Sequence, residues 1–273
     1  IVVVDSRTPE EFAAFSLPFA LSVPGAELVY RIGEIAPDPQ TLVVVNCAGR
    51  TRSIIGTQSL VNAGLPNPVA ALRNGTIGWL LAGQRLDQGA SRRFGPVPED
   101  RRTAAAAQAR AVADRAGVQR ATPADLHRFA QESTRTTYRF DVRTPEEYAA
   151  GHLPGFASAP GGQLVQETDH SAPVRGARIV LADGDGVRAN MSASWLAQMG
   201  WDVWVLDGMD AAAFTETGEP AIPAPEPQGP ITWVEPRTLH AWLQAGPEGD
   251  AVVLDLTRSA AYVQRHIPGS YWA

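Results

Sequence analysis

Two stretches decide the fold: Asp5-Ser-Arg-Thr-Pro-Glu-Glu-Phe-Ala-Ala14 and Asp141-Val-Arg-Thr-Pro-Glu-Glu-Tyr-Ala-Ala150. They agree at eight of ten positions and lie 136 residues apart. The same offset carries Leu17-Pro18 onto Leu153-Pro154, Pro24-Gly25 onto Pro160-Gly161 and Gly64 onto Gly200. A constant offset over so long a span marks a duplicated domain rather than a shared short motif. A third copy begins late, with Ala251-Val-Val-Leu-Asp-Leu256, Tyr262 and His266-Ile-Pro-Gly269. The second copy carries Tyr148 and His152-Leu-Pro-Gly155 at the same spacing.

Each copy reads as α/β. In the second, Thr122 followed by Pro123 opens a predicted helix over 123–132. Residues 137–142 read as a strand. Thr144-Pro-Glu-Glu147 opens another helix, its acids near the positive end of the helix dipole. Arg178 to Ala182 is a short apolar strand, Met191 to Met199 a helix closed by Gly200, and Val203 to Leu206 the next strand. Strands alternating with helices indicate a parallel sheet covered on both faces. The copies run over 1–95, 118–217 and 230–273. The segment 96–117 between the first two contains an alanine-rich helix over 102–116, stopped by Gly117. Residues 218–229 form a proline-rich, stiff extended linker. The first copy lacks the opening strand and helix of the others, and the third stops just after its His-Ile-Pro-Gly. The sequence therefore reads as a segment of a longer tandem array.

The composition narrows the function. Of 273 residues 44% are hydrophobic, enough for packed cores. The net charge is −6 and all 23 basic residues are arginine, so no basic face for nucleic acid is expected. No run of about 18 apolar residues suggests a membrane partner. One cysteine excludes an internal disulfide or a multi-cysteine metal site, and the five histidines show no close ligand spacing. No metal or cofactor is called for, and a reducing, cytoplasmic setting fits.

That single cysteine sits in Val43-Val-Val-Asn-Cys-Ala-Gly-Arg-Thr-Arg-Ser53. Residues 41–46 read as a strand and 53–63 as a helix, which makes Cys47 to Arg52 the turn between them. In open α/β sheets ligands bind at the carboxyl ends of strands. Free N–H groups at the helix start make an anion cradle there and favour a thiolate. Gly49 lets the backbone curl around the sulfur. Arg50 and Arg52 add fixed positive charge. The plainer alternative is a small buried hydrophobe, but a structural thiol needs no glycine and two arginines beside it.

These residues resemble the rhodanese family. The shared features are Asp-x-Arg-Thr-Pro-Glu-Glu-Tyr, Gly-His-Leu-Pro-Gly, a strand ending in Cys, a loop ending in Arg, and Leu72-Arg-Asn-Gly75 before Trp79. The resemblance implies tandem rhodanese-like domains, each with a parallel sheet of about five strands flanked by helices on both faces. It also implies a sulfurtransferase that moves a sulfane sulfur from a thiosulfate-like donor to a thiol or cyanide-like acceptor through a Cys47 persulfide. A persulfide-carrier protein is a further possible partner. Cys47 would be the nucleophile, with Ala48, Gly49, Arg50, Thr51 and Arg52 as the substrate-binding cradle. Copy one departs from the pattern at Phe15-Ser-Leu-Pro-Phe19, where the family has Gly-His-Ile-Pro-Gly.

Two other functions stand beside this one. A phosphatase or arsenate-handling enzyme on the same fold would use Cys-x5-Arg, whereas the spacing here is Cys-x4-Arg. A non-catalytic binding or redox-sensing module would alkylate slowly at Cys47. In the second copy the offset turns Cys47 into Asp183 and keeps Arg52 as Arg188. A carboxylate cannot carry a sulfane sulfur, so Asp183 is expected as an N-cap in a silent copy, with Asp185 repelling anionic donors. Asp5–Arg7 and Asp141–Arg143 are expected to brace their copies, and His152 and His266 to make structural hydrogen bonds.

Overall fold

The computed structural model describes residues 1–49, 51–219, 229–244, 251–257 and 259–273. It divides into two compact units, 1–221 and 222–273. The proline-rich stretch expected over 218–229 falls almost wholly outside the described residues.

The first unit holds both long copies. In copy one, β1 (Val2–Asp5), β2 (Leu21–Ser22), β3 (Val43–Asn46) and β4 (Val69–Ala71) form a parallel sheet ordered β2-β1-β3-β4. Its helices are α1 (Pro9–Ala14), α2 (Glu27–Ile35), α3 (Thr51–Asn62) and α4 (Gly75–Leu81). Among the described residues this sheet has four strands rather than about five, the fifth in copy two being the strand that opens it. That strand is β5 (Gln119–Ala121), which follows α5 (Glu99–Arg115). Copy two continues with α6 (Pro123–Gln131), β6 (Thr137–Asp141), α7 (Pro145–Ala150), β7 (Ala157–Ser158), α8 (Gly161–Gln166), α9 (Thr168–Ser171), β8 (Arg178–Ala182), α10 (Arg188–Gln198) and β9 (Asp202–Leu206). Its five parallel strands run β5-β9-β8-β6-β7.

Local chemistry sets the helix starts. Thr8, Thr122 and Thr144 each accept the N–H of the residue three ahead, while Glu11, Asp125 and Glu147 reach back to the cap N–H. Each such cap contributes about 1 kcal/mol. Strand alternation then sorts side chains between two cores. Val4 and Val45 face one cluster with Leu28, Ile32 and Leu60, while Val3 and Val44 face another with Phe12 and Leu17.

The expected connecting helix is α5, and its buried stripe of Ala105, Ala109, Val112 and Ala113 follows helical periodicity. Ala105, Ala109 and Val112 join the copy-one cluster, which also takes in Val187 and Met191 of copy two; Ala113 joins the copy-two cluster. The two copies thus share apolar packing around α5. They also meet through equivalent residues. Trp195 Nε1 donates to Ser59 Oγ at 2.8 Å, and these two positions correspond at the offset of 136. Contact between equivalent positions is the mark of a local two-fold relation.

The second unit contains α11 (Pro236–Gln244), β10 (Leu254–Asp255), α12 (Ser259–Gln264) and β11 (Tyr271–Trp272), with β10 and β11 paired in parallel. Its turn repeats that of copy two. Tyr148 OH donates to Phe156 O at 2.9 Å and stacks on His152, whose Nδ1 lies 2.9 Å from Tyr148 O. Tyr262, Ser270 and His266 repeat the arrangement. Both histidines are therefore turn-forming groups.

Candidate active site

Cys47 follows β3 directly, at the carboxyl end of a central strand paired on one side with β1 and on the other with β4. The strand end is fixed from β1. Ser6 donates both its backbone N–H and its hydroxyl to Asn46 O, each at 2.9 Å, and Asn46 Nδ2 donates to Asp5 Oδ2 at 2.8 Å. Asp5 in turn holds Arg7 through Nε and Nη2, both at 2.9 Å, so the Asp-x-Arg motif is a buried brace. Asp141 and Arg143 repeat it in copy two.

The loop carbonyls are taken by α4. Thr76 N–H donates to Cys47 O at 2.9 Å and Ile77 N–H to Ala48 O at 3.1 Å. In a trans peptide the N–H points opposite the C=O. The N–H groups of Ala48 and Gly49 therefore point away from α4. This packing is so close that a Cβ on Gly75, at φ +55, would stand 2.0 Å from Cys47 O. The sequence motif Leu72–Gly75 thus ends in a glycine that must stay glycine.

Cys47 is 2% exposed, and its Sγ lies 3.3 Å from Ser53 Oγ, to which the thiol donates. It belongs to none of the four apolar clusters formed by the described residues. The helix begins two residues earlier than its predicted start. Thr51 and Arg52 form the first turn of α3 rather than the end of a turn, which leaves their N–H groups without intrahelical acceptors. Arg50 lies outside the described residues. Gly49 corrects the reading of its backbone role: it does not adopt the left-handed conformation, and an added Cβ would meet nothing within 4 Å.

Arg52 gives Nη1 and Nη2 to the two carboxylate oxygens of Glu11, with Nη2 to Oε1 at 2.7 Å. Nη1 also lies 3.4 Å from Gln163 Oε1 of copy two. Hydrogen bonding from Arg52 holds the Glu11 carboxyl below its ordinary range, although burial opposes this. Glu11, a first-turn acid of α1, is thus also a positioning group for Arg52. The signal that could have found it is retention of both partners at the same offset, as Glu147 and Arg188.

Copy two shows what the same loop does with a carboxylate. Asp183 Oδ1 accepts from Gly186 N–H at 2.9 Å, and Oδ2 accepts from Ala189 N–H at 2.7 Å. Asp183 thus caps α10 from beyond its assigned cap, Val187. Asp185 Oδ1 accepts from the N–H groups of Val187 and Arg188, and Oδ2 from Arg188 Nε at 2.7 Å. The charge expected to repel anions is therefore internally paired. Arg188, 2% exposed, also binds Glu147 and crosses to Glu27 of copy one at 2.8 Å. Burial pushes the Asp183 carboxyl up to about 7, with the charge of Asp185 adding to it. Between the copies lies a cleft of about 350 Å³ whose lining includes Arg7, Thr8, Arg93, Arg143, Thr144 and Gln163.

A thiosulfate sulfurtransferase of known structure from Pseudomonas aeruginosa is 63% identical to this chain. The match covers 100% of this chain and 51% of that one, with a TM-score of 0.89. An HTH-type transcriptional regulator from Mycobacterium tuberculosis is 31% identical over 90 residues, 33% of this chain and 39% of the regulator. This chain spans about half the length of the sulfurtransferase it matches. The rhodanese-like domain family matches residues 1–82 and 122–209, the two copies whose braces, caps and strand-end loops coincide, and the chain belongs to that family.

Proposed function

We propose that the chain is the sulfur-carrying part of a sulfurtransferase, with Cys47 as nucleophile and the second copy silent. The observation that carries this reading is Asp183. At the position equivalent to Cys47, a carboxylate accepts the N–H groups of Gly186 in the loop and of Ala189 in the first turn of α10, which supports a cradle of amides around the side chain in that place. The 63% identical sulfurtransferase supports the same chemistry.

The Cys47 thiolate attacks the outer sulfur of a thiosulfate-like donor. The new S–S bond forms as the donor's S–S bond breaks, and sulfite leaves with the electron pair. Amides of the Cys47–Arg52 loop and of the first turn of α3 would stabilise the resulting persulfide anion, with Arg50 adding charge. A thiolate, cyanide or the thiol of a carrier protein then takes the terminal sulfur and restores the Cys47 thiolate. Asp183 cannot form that S–S bond, which leaves copy two the packing and positioning work described above. Among the described residues no helix is long and apolar enough to cross a membrane.

Intact-mass spectrometry after thiosulfate treatment tests the proposal. The expected result is a gain of about 32 Da, one sulfur, that cyanide removes and Cys47→Ser abolishes. Loading of the Cys47→Ser chain, or turnover of p-nitrophenyl phosphate without sulfur loading, overturns it.

A further inference from the structure

We infer that the groove between the exposed face of α4 and residues 84–88 docks the sulfur acceptor, an acidic segment of a partner protein that carries its cysteine between apolar residues. The inference deepens the sulfur-transfer reading and rests on it for the direction of transfer. The groove, of about 560 Å³, is lined by Phe15, Ile77, Leu80, Arg85 and Leu86, with Thr76 joining it to the thiol loop. Thr76 donates its N–H to Cys47 O at 2.9 Å, and its hydroxyl donates to Ala48 O at 3.4 Å.

Copy two builds the same place differently. Ser16 and Asp87 exchange backbone hydrogen bonds in copy one, as His152 and Glu216 do in copy two. Two residues before that bridge copy two has Phe214, whose ring centroid lies 4.3 Å from Arg143 Cζ. Copy one has Arg85 there and takes its ring from Phe15, 4.8 Å from Arg7 Cζ. Phe15 is equivalent to Gly151 at the offset of 136, and a Cβ on Gly151 would stand 3.0 Å from Phe214 O. The aromatic has thus moved from the connection to the turn, and an arginine has taken its place. The connection itself, a single turn of 3-10 helix at Ala211–Ala213 in copy two, is lengthened into α4. The longer helix leaves Ile77, Leu80 and Leu81 exposed.

An exposed apolar face beside a reactive group marks an interaction surface. The charge points to what covers it. No Asp or Glu lines the groove among the described residues, and Asp87 beside it pairs with Arg92. Arg85 in the groove and Arg73 just before α4 stand exposed, in a chain whose net charge is −6. A positive rim around an apolar floor matches an acidic segment with apolar side chains. The partner cysteine, as its thiolate, attacks the terminal sulfur of the Cys47 persulfide. A new S–S bond forms to the partner, the bond from Cys47 to that sulfur breaks, and Cys47 leaves as the thiolate.

The test uses the whole chain and two cysteine peptides, one flanked by leucines and glutamates, the other by leucines and lysines. Chains loaded from thiosulfate are mixed with each peptide, and mass spectrometry follows the loss of sulfur from Cys47. Cyanide, too small to need the groove, is the control acceptor. Wild type is expected to half-saturate at about tenfold lower concentration of the acidic peptide than of the basic one. Arg85→Glu should reverse that preference, and Leu80→Gln should weaken both peptides about tenfold, with cyanide rates within about twofold of wild type. Equal half-saturation by the two peptides in wild type, or a preference that Arg85→Glu leaves in place, overturns the inference. So does a dimer in sedimentation that Leu80→Gln dissolves, since a second copy then occupies the groove. A wild-type chain that loads no sulfur overturns the transfer reading instead. Binding of the serine versions of both peptides, read by fluorescence anisotropy, then decides the docking face by the same preference.

Discussion

Arg52 and Arg188 hold the same place in the two copies and make the same two-pronged pair, Arg52 with Glu11 and Arg188 with Glu147. Each also reaches across to the other copy, Arg52 to Gln163 and Arg188 to Glu27, and these two targets are themselves equivalent. The symmetry is geometric, but the energetics differ because burial differs. Arg188 is 2% exposed with two carboxylates, Glu27 and Asp185, buried against it. Arg52 faces one carboxylate whose side chain is 39% exposed.

Removing Arg188 therefore takes the guanidinium from buried Asp185, which keeps only backbone N–H donors, and leaves buried Glu27 to Arg31 alone. Arg188→Met is expected to cost about 3–5 kcal/mol in urea unfolding. Arg52→Met, which frees a carboxylate that water can reach, is expected to cost about 1 kcal/mol or less. Equal losses would contradict the burial argument.

Gly75 is the tightest contact on the thiol loop. Gly75→Ala introduces a Cβ at φ +55 that meets Cys47 O, so the loop or α4 must shift. The expected outcome is a stability loss above about 1 kcal/mol. Sulfur loading should fall by about 100-fold, since a displacement near 1 Å at a reacting group costs that much. Crystal structures of the variant and intact-mass kinetics check both.

Glu147 predicts an acid limb. Burial opposes its ionisation, but hydrogen bonds and charge from Arg188 together with the Thr144 N–H outweigh it and hold the carboxyl at about 2. A lowered value means that its contribution is present above the ordinary 4.5 and is lost as pH falls through about 2. Glu147→Gln should be less stable near neutrality and should flatten the acid side of the pH profile measured by denaturant midpoints.

Asp183 works in the opposite direction. Its carboxyl is raised to about 7, first by burial and then by Asp185, so its contribution is present below the ordinary 3.8 and is lost as pH rises through about 7. Asp183→Asn is expected to gain on wild type as pH rises across that window. A stability difference independent of pH would show that Asp183 titrates like an exposed acid.

Much of the fold was legible locally. The threonine caps, the strand β8 over 178–182 and the strand-end position of Cys47 follow from short-range chemistry: capping, alternation and a terminal polar residue after an apolar run. The helix starts at Thr51 and Arg188 were less legible, because loop residues that donate to an anion look the same in sequence as residues of a turn. Glu11 as the partner of Arg52 lies 41 residues away, and Gly75 against Cys47 lies 28 away; neither follows from a local pattern.

The sequence by itself determined that this is a duplicated α/β chain with one thiol at a strand end and a carboxylate in its place in the duplicate. Only the tertiary structure decided which side chains meet: α5 packed between the copies, Trp195 on Ser59, Arg188 on Glu27. The physical reason is that capping and strand periodicity act over a few residues, whereas ion pairs and packed faces join groups that folding alone brings within a few ångströms.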